Sequence, residues 1–269
     1  MTHMIPFTKM HGAGNDYIYI HADAYPLDNP EELSVKWSAP HTGIGSDGLV
    51  LISRSAVADF KMRIFNADGS EALMCGNATR CIGKYVYENK LTDKTTLTLE
   101  TLSGIKEIQL TVRNNLVEEV TVAMGIPTVE QTLTLEVEPC GSITGTVVSV
   151  GNPHFVVFVD NLAGIDLPVV GPKLEHHPLF PGRINVEFVQ VLSPGEVRMR
   201  VWERGSGITM ACGTGACATA AAGVACGKTN REVNVHMDGG TLAIRWDAPT
   251  SQLFMTGDAV RVFEGLIAL

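Results

Sequence analysis

The string Cys-Gly followed by small and polar residues occurs twice, as Cys75-Gly76-Asn77-Ala78 and as Cys212-Gly213-Thr214-Gly215, about half of the 269-residue chain apart. A helical pattern follows each time, over Ala78 to Asn89 and over the alanine-rich Gly213 to Gly227, which closes on a glycine. A local signature repeated at half the chain length implies one domain plan built twice, with equivalent thiols at equivalent helix starts. Duplication is the simplest account, and halves of this size lie within the ordinary range for domains. The boundary falls at Met124-Gly125-Ile126-Pro127, where a strand run meets glycine and proline.

Most of the remaining pattern is strand. Period-two alternation enriched in Thr and Val runs over Leu97 to Thr101, Ile105 to Val112, Leu116 to Val122, Leu133 to Val137, Asn185 to Leu192, Glu196 to Trp202, Val233 to Met237 and Thr241 to Trp246. Turn signals such as Arg113-Asn114-Asn115 and Ser193-Pro194-Gly195 separate neighbours by a few residues, which predicts hairpins in mixed or largely antiparallel sheets. Beyond the two helices above, only Pro30 to Trp37 reads as helix, with proline in its first turn. With 45% hydrophobic and 18% charged residues the chain can bury a substantial core.

Charge and composition narrow the partners. The net charge of −9 and the lack of a basic run argue against nucleic acid. Phe155 to Val159 is a strand-length apolar run, far short of a membrane span, and the N-terminal segment lacks the basic-then-apolar pattern of a secretory leader. A cytosolic protein is expected, its six cysteines free thiols with no disulfide framework. Cys81, Cys217 and Cys226 lie within the predicted helices and read as packing, while Cys140 beside Gly141 reads as a turn. Zinc ligands come closer together than Cys75 and Cys81 or Cys212 and Cys217, so no metal site is expected.

Burial is the ordinary use of a cysteine, but it does not explain two of them at two helix starts. A helix N-terminus carries unpaired N–H groups and a partial positive charge, which lowers a thiol's pKa and binds carboxylate. If both helix starts meet one substrate, its carboxylate sits among the N–H donors while each sulfur faces the same α-carbon from opposite sides. One thiolate removes the α-proton, the other thiol protonates the far face, and the stereocentre inverts with no cofactor.

The chain resembles the diaminopimelate epimerase family over essentially its whole length. The resemblance is carried by Lys9-Met10-His11-Gly12-Ala13-Gly14-Asn15-Asp16-Tyr17, Arg63 to Ser70, Met74-Cys75-Gly76-Asn77, Gly151-Asn152-Pro153-His154, Asn185, Glu203-Arg204-Gly205 and Ala211 to Gly215. It implies an α/β fold of two pseudo-symmetric domains, each a mixed, largely antiparallel sheet wrapped around a central helix, with the active site in the cleft between them. The domains would be residues 1–124 plus 258–269, carrying Cys75, and 125–257, carrying Cys212, because the last strand returns to the first domain. The implied activity is interconversion of LL- and meso-2,6-diaminoheptanedioate without pyridoxal phosphate or any other cofactor, in lysine and peptidoglycan-precursor biosynthesis, by a homodimer.

Carried over by position, the resemblance makes Cys75 and Cys212 the proton-transfer pair. The backbone N–H groups of Gly76, Asn77, Gly213 and Thr214 would hold the reacting carboxylate. Asn66, Asn152, Asn185 and Arg204 would read the distal end, Glu203 would accept from ammonium groups, and Asn15 would line the cavity. A doubly zwitterionic substrate independently calls for a guanidinium fork and an acid. His154 either tunes the site or is a satisfied structural histidine. Gly48 stands where some members carry Gln, which removes one side-chain contact.

Other readings compete. Proline racemases and hydroxyproline epimerases also pair cysteines, but Asn77 and the Glu203-Arg204 pair favour the diaminopimelate reading. A non-catalytic amino-acid-binding relative would not need both thiols. Gly43-Ile44-Gly45-Ser46-Asp47-Gly48 matches a dinucleotide fingerprint yet precedes the strand-like Leu49 to Ile52. Gly223 to Thr229 is one residue short of a P-loop and sits at a helix end, and His176-His177 reads as a surface turn.

Overall fold

The computed structural model describes residues 4–269; residues 1–3, part of the segment read above for a leader, lie outside it. The chain falls into two compact units, one running to Val122 and resuming over Gly257–Leu269, the other spanning Ala123–Thr256. Among the described residues no helix is long and apolar enough to cross a membrane.

The first unit holds β1 (Met4–Gly12), β2 (Asn15–His21), α1 (Pro30–Ser38), β3 (Gly48–Arg54), β4 (Phe60–Asn66), β5 (Glu71–Ala72), α2 (Gly76–Glu88), β6 (Thr96–Thr101), β7 (Gly104–Arg113) and β8 (Leu116–Gly125). The second holds β9 (Thr128–Val137), β10 (Gly141–Ser149), β11 (Pro153–Phe158), α3 (Leu167–Glu175), β12 (Asn185–Ser193), β13 (Glu196–Glu203), β14 (Gly207–Ile208), α4 (Gly213–Ala225), β15 (Glu232–His236), β16 (Thr241–Trp246) and β17 (Leu253–Gly257). The last strand, β18 (Val260–Ala268), pairs antiparallel with β1.

Pairing follows the same order in both units. In the first, β1 and β2 are antiparallel, β2 and β3 parallel, β3 and β4 antiparallel, β4 and β6 parallel, and β6, β7 and β8 a meander. In the second, β10 and β11 are antiparallel, β11 and β12 parallel, β12 and β13 antiparallel, β13 and β15 parallel, and β15, β16 and β17 a meander. Strand β9 covers β10 as β18 covers β1. The hairpins expected from the turn signals are present. The parallel pairs arise where a helix intervenes, since a parallel partner needs a crossover longer than a turn.

Each sheet has a helix on either face. In the second unit Phe155, Val157, Val186 and Phe188 turn toward Val170 and Leu174 of α3. By strand alternation, His154, Val156, Asn185, Glu187, Val201 and Glu203 take the opposite face, where α4 packs. Helix α4 touches β9, β10, β11, β12, β15 and β16, so the sheet curls around it. Its run of alanines permits this, being apolar on every side and thin enough for close approach. In the first unit α2 packs on β1, β2 and β7, while Trp37 of α1 joins Ile18, Ile20, Leu49, Leu51 and Phe65 on the other face.

Two readings change. Helix α3, absent from the sequence expectations, forms because Leu167, Val170, Gly171 and Leu174 make one apolar face despite Pro168 and Pro172. Cys226, expected to pack, is the exposed cap after α4, since the helix stops at Ala225. Cys81 and Cys217 are buried in α2 and α4 as expected, and Cys140 is exposed in a turn.

Candidate active site

Each candidate thiol caps a central helix. Cys75 (φ −135°, ψ 121°) precedes α2 and Cys212 (φ −127°, ψ 109°) precedes α4, both extended, with the Cys75 carbonyl accepting from the Thr79 N–H and the Cys212 carbonyl from the Ala216 N–H, each at 2.9 Å. The N–H groups of Gly76 and Asn77, and of Gly213 and Thr214, therefore belong to first turns, where no intrahelical carbonyl is available. The same backbone device occurs once in each unit.

Around Cys75 the sulfur lies 3.3 Å from Asn15 Oδ1, to which the thiol donates, and the Asn77 side-chain amide donates to the same oxygen at 3.3 Å. Asn15 is held in this orientation by Asp47, whose carboxylate accepts from Asn15 Nδ2 at 2.7 Å and from the Asp16 N–H at 3.0 Å. Burial raises the Asp47 pKa, opposed by these donors and by Lys9. Tyr17, its pKa pushed well up by burial and by the neighbouring Cys75, lies against Asn15 and Cys75. Asn66 ends β4, half-buried, its amide donating to Ser70 Oγ at 3.0 Å.

Cys212 sits in a denser setting. Its sulfur accepts from the Gly215 N–H at 3.4 Å and lies 3.6 Å from Thr214 Oγ1. The Asn152 amide donates to Thr214 Oγ1 at 3.2 Å, and Asn152 Oδ1 meets His154 Nε2 at 3.0 Å. His154 Nδ1 is 2.7 Å from Glu187 Oε1, and both side chains are fully buried. Glu203 accepts from the Thr209 hydroxyl and contacts Cys212. Asn185 binds main chain at both ends, donating to the Pro153 carbonyl and accepting from the Arg204 N–H, each at 2.9 Å. The Arg204 guanidinium is exposed and donates to the Gly182 carbonyl at 3.0 Å.

One electrostatic expectation is reversed. The helix start was expected to lower the pKa of its thiol, yet burial pushes Cys212 well above the ordinary thiol range, and the charges of Glu203 and Glu187 push it further. The Thr214 hydroxyl and Gly215 N–H pull the other way but contribute less. Desolvating an anion beside two carboxylates outweighs a partial dipole charge. Burial likewise raises Glu203.

Within the second unit the structure gathers Asn152, His154, Glu203, Cys212, Gly213 and Thr214, with Asn185 fixing the backbone of Arg204. Within the first it gathers Asn15, Cys75, Gly76 and Asn77, with Asn66 at the end of β4. Sequence reasoning passed over Asp47, Tyr17, Thr209 and Glu187. A signal existed for Glu187, an acid in an apolar strand two residues beyond Asn185 and so on the same face. Gly48 has φ +158°, and a Cβ there would lie 2.0 Å from the Phe65 carbonyl, so no side chain fits on this backbone.

The comparisons agree with this architecture. The family model described as "Diaminopimelate epimerase" matches residues 7–130 and 146–262. The diaminopimelate epimerase of Parabacteroides distasonis is 68% identical over 268 residues, covering 99% of each chain, and that of Phocaeicola vulgatus is 56% identical over 280 residues, covering 100% of each. Among solved structures, a hydroxyproline epimerase from Agrobacterium vitis superposes with a TM-score of 0.76 at 18% identity, covering 100% of this chain and 94% of that one, a likeness of fold. With matches that run through both units, the chain belongs to the diaminopimelate epimerase family of isomerases.

Proposed function

We propose that the chain interconverts LL- and meso-2,6-diaminoheptanedioate without a cofactor, Cys75 and Cys212 acting as the proton-transfer pair on opposite faces of one α-carbon. The observation that carries this is the recurrence, in both units of a chain so closely related to named diaminopimelate epimerases, of an extended cysteine capping the central helix beside first-turn N–H groups that have no intrahelical carbonyl. One sulfur, as thiolate, takes the α-proton. The C–H electron pair passes toward the substrate carboxylate, held by the N–H groups of Gly76, Asn77, Gly213 and Thr214. The other thiol delivers its proton to the far face and becomes the thiolate, ready for the reverse reaction.

Substrate binding supplies what the Cys212 setting lacks. Burial does most to hold Cys212 protonated, and an ammonium group accepted by Glu203 neutralises the carboxylate charge that adds to it, so the thiolate becomes more accessible when substrate is present. Asn66, Asn152, Asn185 and Arg204 would read the distal carboxylate and ammonium, while Asn15 orients Cys75. The protein would work in the cytosol as a homodimer, supplying lysine and peptidoglycan precursors.

Incubating LL-diaminopimelate with purified protein in deuterated water, with no added cofactor, tests the reading: labelled meso isomer should appear. If proline or hydroxyproline is inverted and diaminopimelate is not, the proline racemase reading replaces it; binding without inversion of any amino acid leaves only a non-catalytic relative.

A further inference from the structure

The Glu187 carboxyl, buried on the α4 face of β12, lies outside the residues assigned above. Its Oε1 meets His154 Nδ1 at 2.7 Å, and its Oε2 has no hydrogen-bond partner among the described residues. A Cβ on Gly215 would come within 2.7 Å of Oε1, so the carboxyl lies against the first turn of α4. A fully buried acid of this kind is costly unless compensated. The titratable groups facing it are His154, Glu203 and Cys212.

Resting on the function proposed above, we infer that Glu187 is a positioning residue, sharing a proton with His154 so that a one-way chain of hydrogen bonds ends on the Cys212 sulfur. The polarity follows from donor chemistry. Asn152 Nδ2 can only donate, and does so to Thr214 Oγ1, which leaves Asn152 Oδ1 to accept from His154 Nε2. His154 must therefore carry a proton on Nε2. A carboxylate facing a neutral Nδ1–H imidazole would leave Nε2 bare, turn the Asn152 amide around and draw the Thr214 hydroxyl onto that amide. One extra proton between Glu187 Oε1 and His154 Nδ1 prevents this, whichever atom holds it. It also offsets the Glu187 charge, which otherwise adds to burial and Glu203 in opposing ionisation of Cys212. The Thr214 hydrogen is then free to point at the sulfur 3.6 Å away.

The experiment is nitrogen-15 NMR of histidine-labelled protein without substrate, reading which nitrogens of His154 are protonated in wild type, E187Q and E187M, with kcat and KM for diaminopimelate on the same samples. Glutamine can donate its amide to Nδ1, so wild type and E187Q should both show a protonated Nε2, with kcat for E187Q within about threefold of wild type. E187M should lose that single state and lower kcat about tenfold or more, with KM within about twofold. A bare Nε2 in wild type overturns the inference, as does E187M with unchanged His154 protonation or unchanged kcat. If E187M does not fold, the wild-type and E187Q spectra still decide. A wild-type protein inert toward diaminopimelate would remove the functional reading, while the His154 spectrum would still be scored without substrate.

Discussion

Cys75 and Cys212 occupy matching backbone positions in different hydrogen-bonding settings, and single residues explain the contrast. Asn15, locked by Asp47, turns a carbonyl toward Cys75, so that sulfur donates; the Gly215 N–H turns toward Cys212, so that sulfur accepts. Replacing either cysteine by alanine should cut conversion between stereoisomers by about 10²- to 10⁴-fold, the usual contribution of a placed acid or base. Chiral chromatography of product checks this, and full activity in either variant would remove the two-thiol mechanism. Gly215 is constrained as tightly, because a methyl group there would sit 2.7 Å from Glu187 Oε1 and 3.2 Å from the Cys212 sulfur. G215A should lose about 1–3 kcal/mol of stability in urea unfolding as the carboxyl is displaced. Unchanged stability would mean that the carboxyl has room to move.

At the scale of elements, the central helices are held by thinness. Ala216, Ala218, Ala220, Ala221 and Ala222 of α4 are all buried, and the sheet closes on them from several strands. Ala221→Leu should therefore destabilise by about 1–3 kcal/mol through overpacking, measured as a shift in the urea midpoint at constant slope. A neutral or stabilising result would reveal space around the helix. The two strands that carry the Cys212 surroundings, β11 and β12, are parallel neighbours with His154 opposite Asn185. That register puts His154, Asn185 and Glu187 on one face, so a strand slip of one residue would turn all the site's polar groups toward α3.

Across the whole molecule, ionisation couples chemistry to stability. Burial pushes the Cys81 thiol up to about 12 and raises Cys212, Tyr17 and Tyr19. Unfolded thiols ionise near about 8.5, so above that pH the unfolded chain holds fewer protons than the folded one. The stability these groups contribute is complete below that value and declines as pH rises toward their folded pKa values. Urea midpoints should therefore fall between pH 8 and pH 10, the unfolding free energy dropping by about 1–2 kcal/mol for each buried thiol at the upper end. A flat profile would contradict the burial of these groups.

What the sequence determined by itself was the duplication, the hairpins and the placing of a cysteine at the start of each central helix, because the Cys-Gly helix starts, turn residues and period-two runs are local signals. Helix α3 was hidden by its prolines, β1, β2, β4, β5, β10, β14 and β17 were not picked out, and β18 was expected only from the family resemblance. Strand β2 shows why: Tyr17, Ile18, Tyr19 and Ile20 are buried on both faces and do not alternate. Only the tertiary structure decided how the thiols are tuned. Asp47 reaches Asn15 from another loop, and Glu187 and Glu203 reach the start of α4 from neighbouring strands. Charge repulsion and desolvation act through space, and a helix dipole read from local sequence carries no information about which carboxylates the sheet will fold against it.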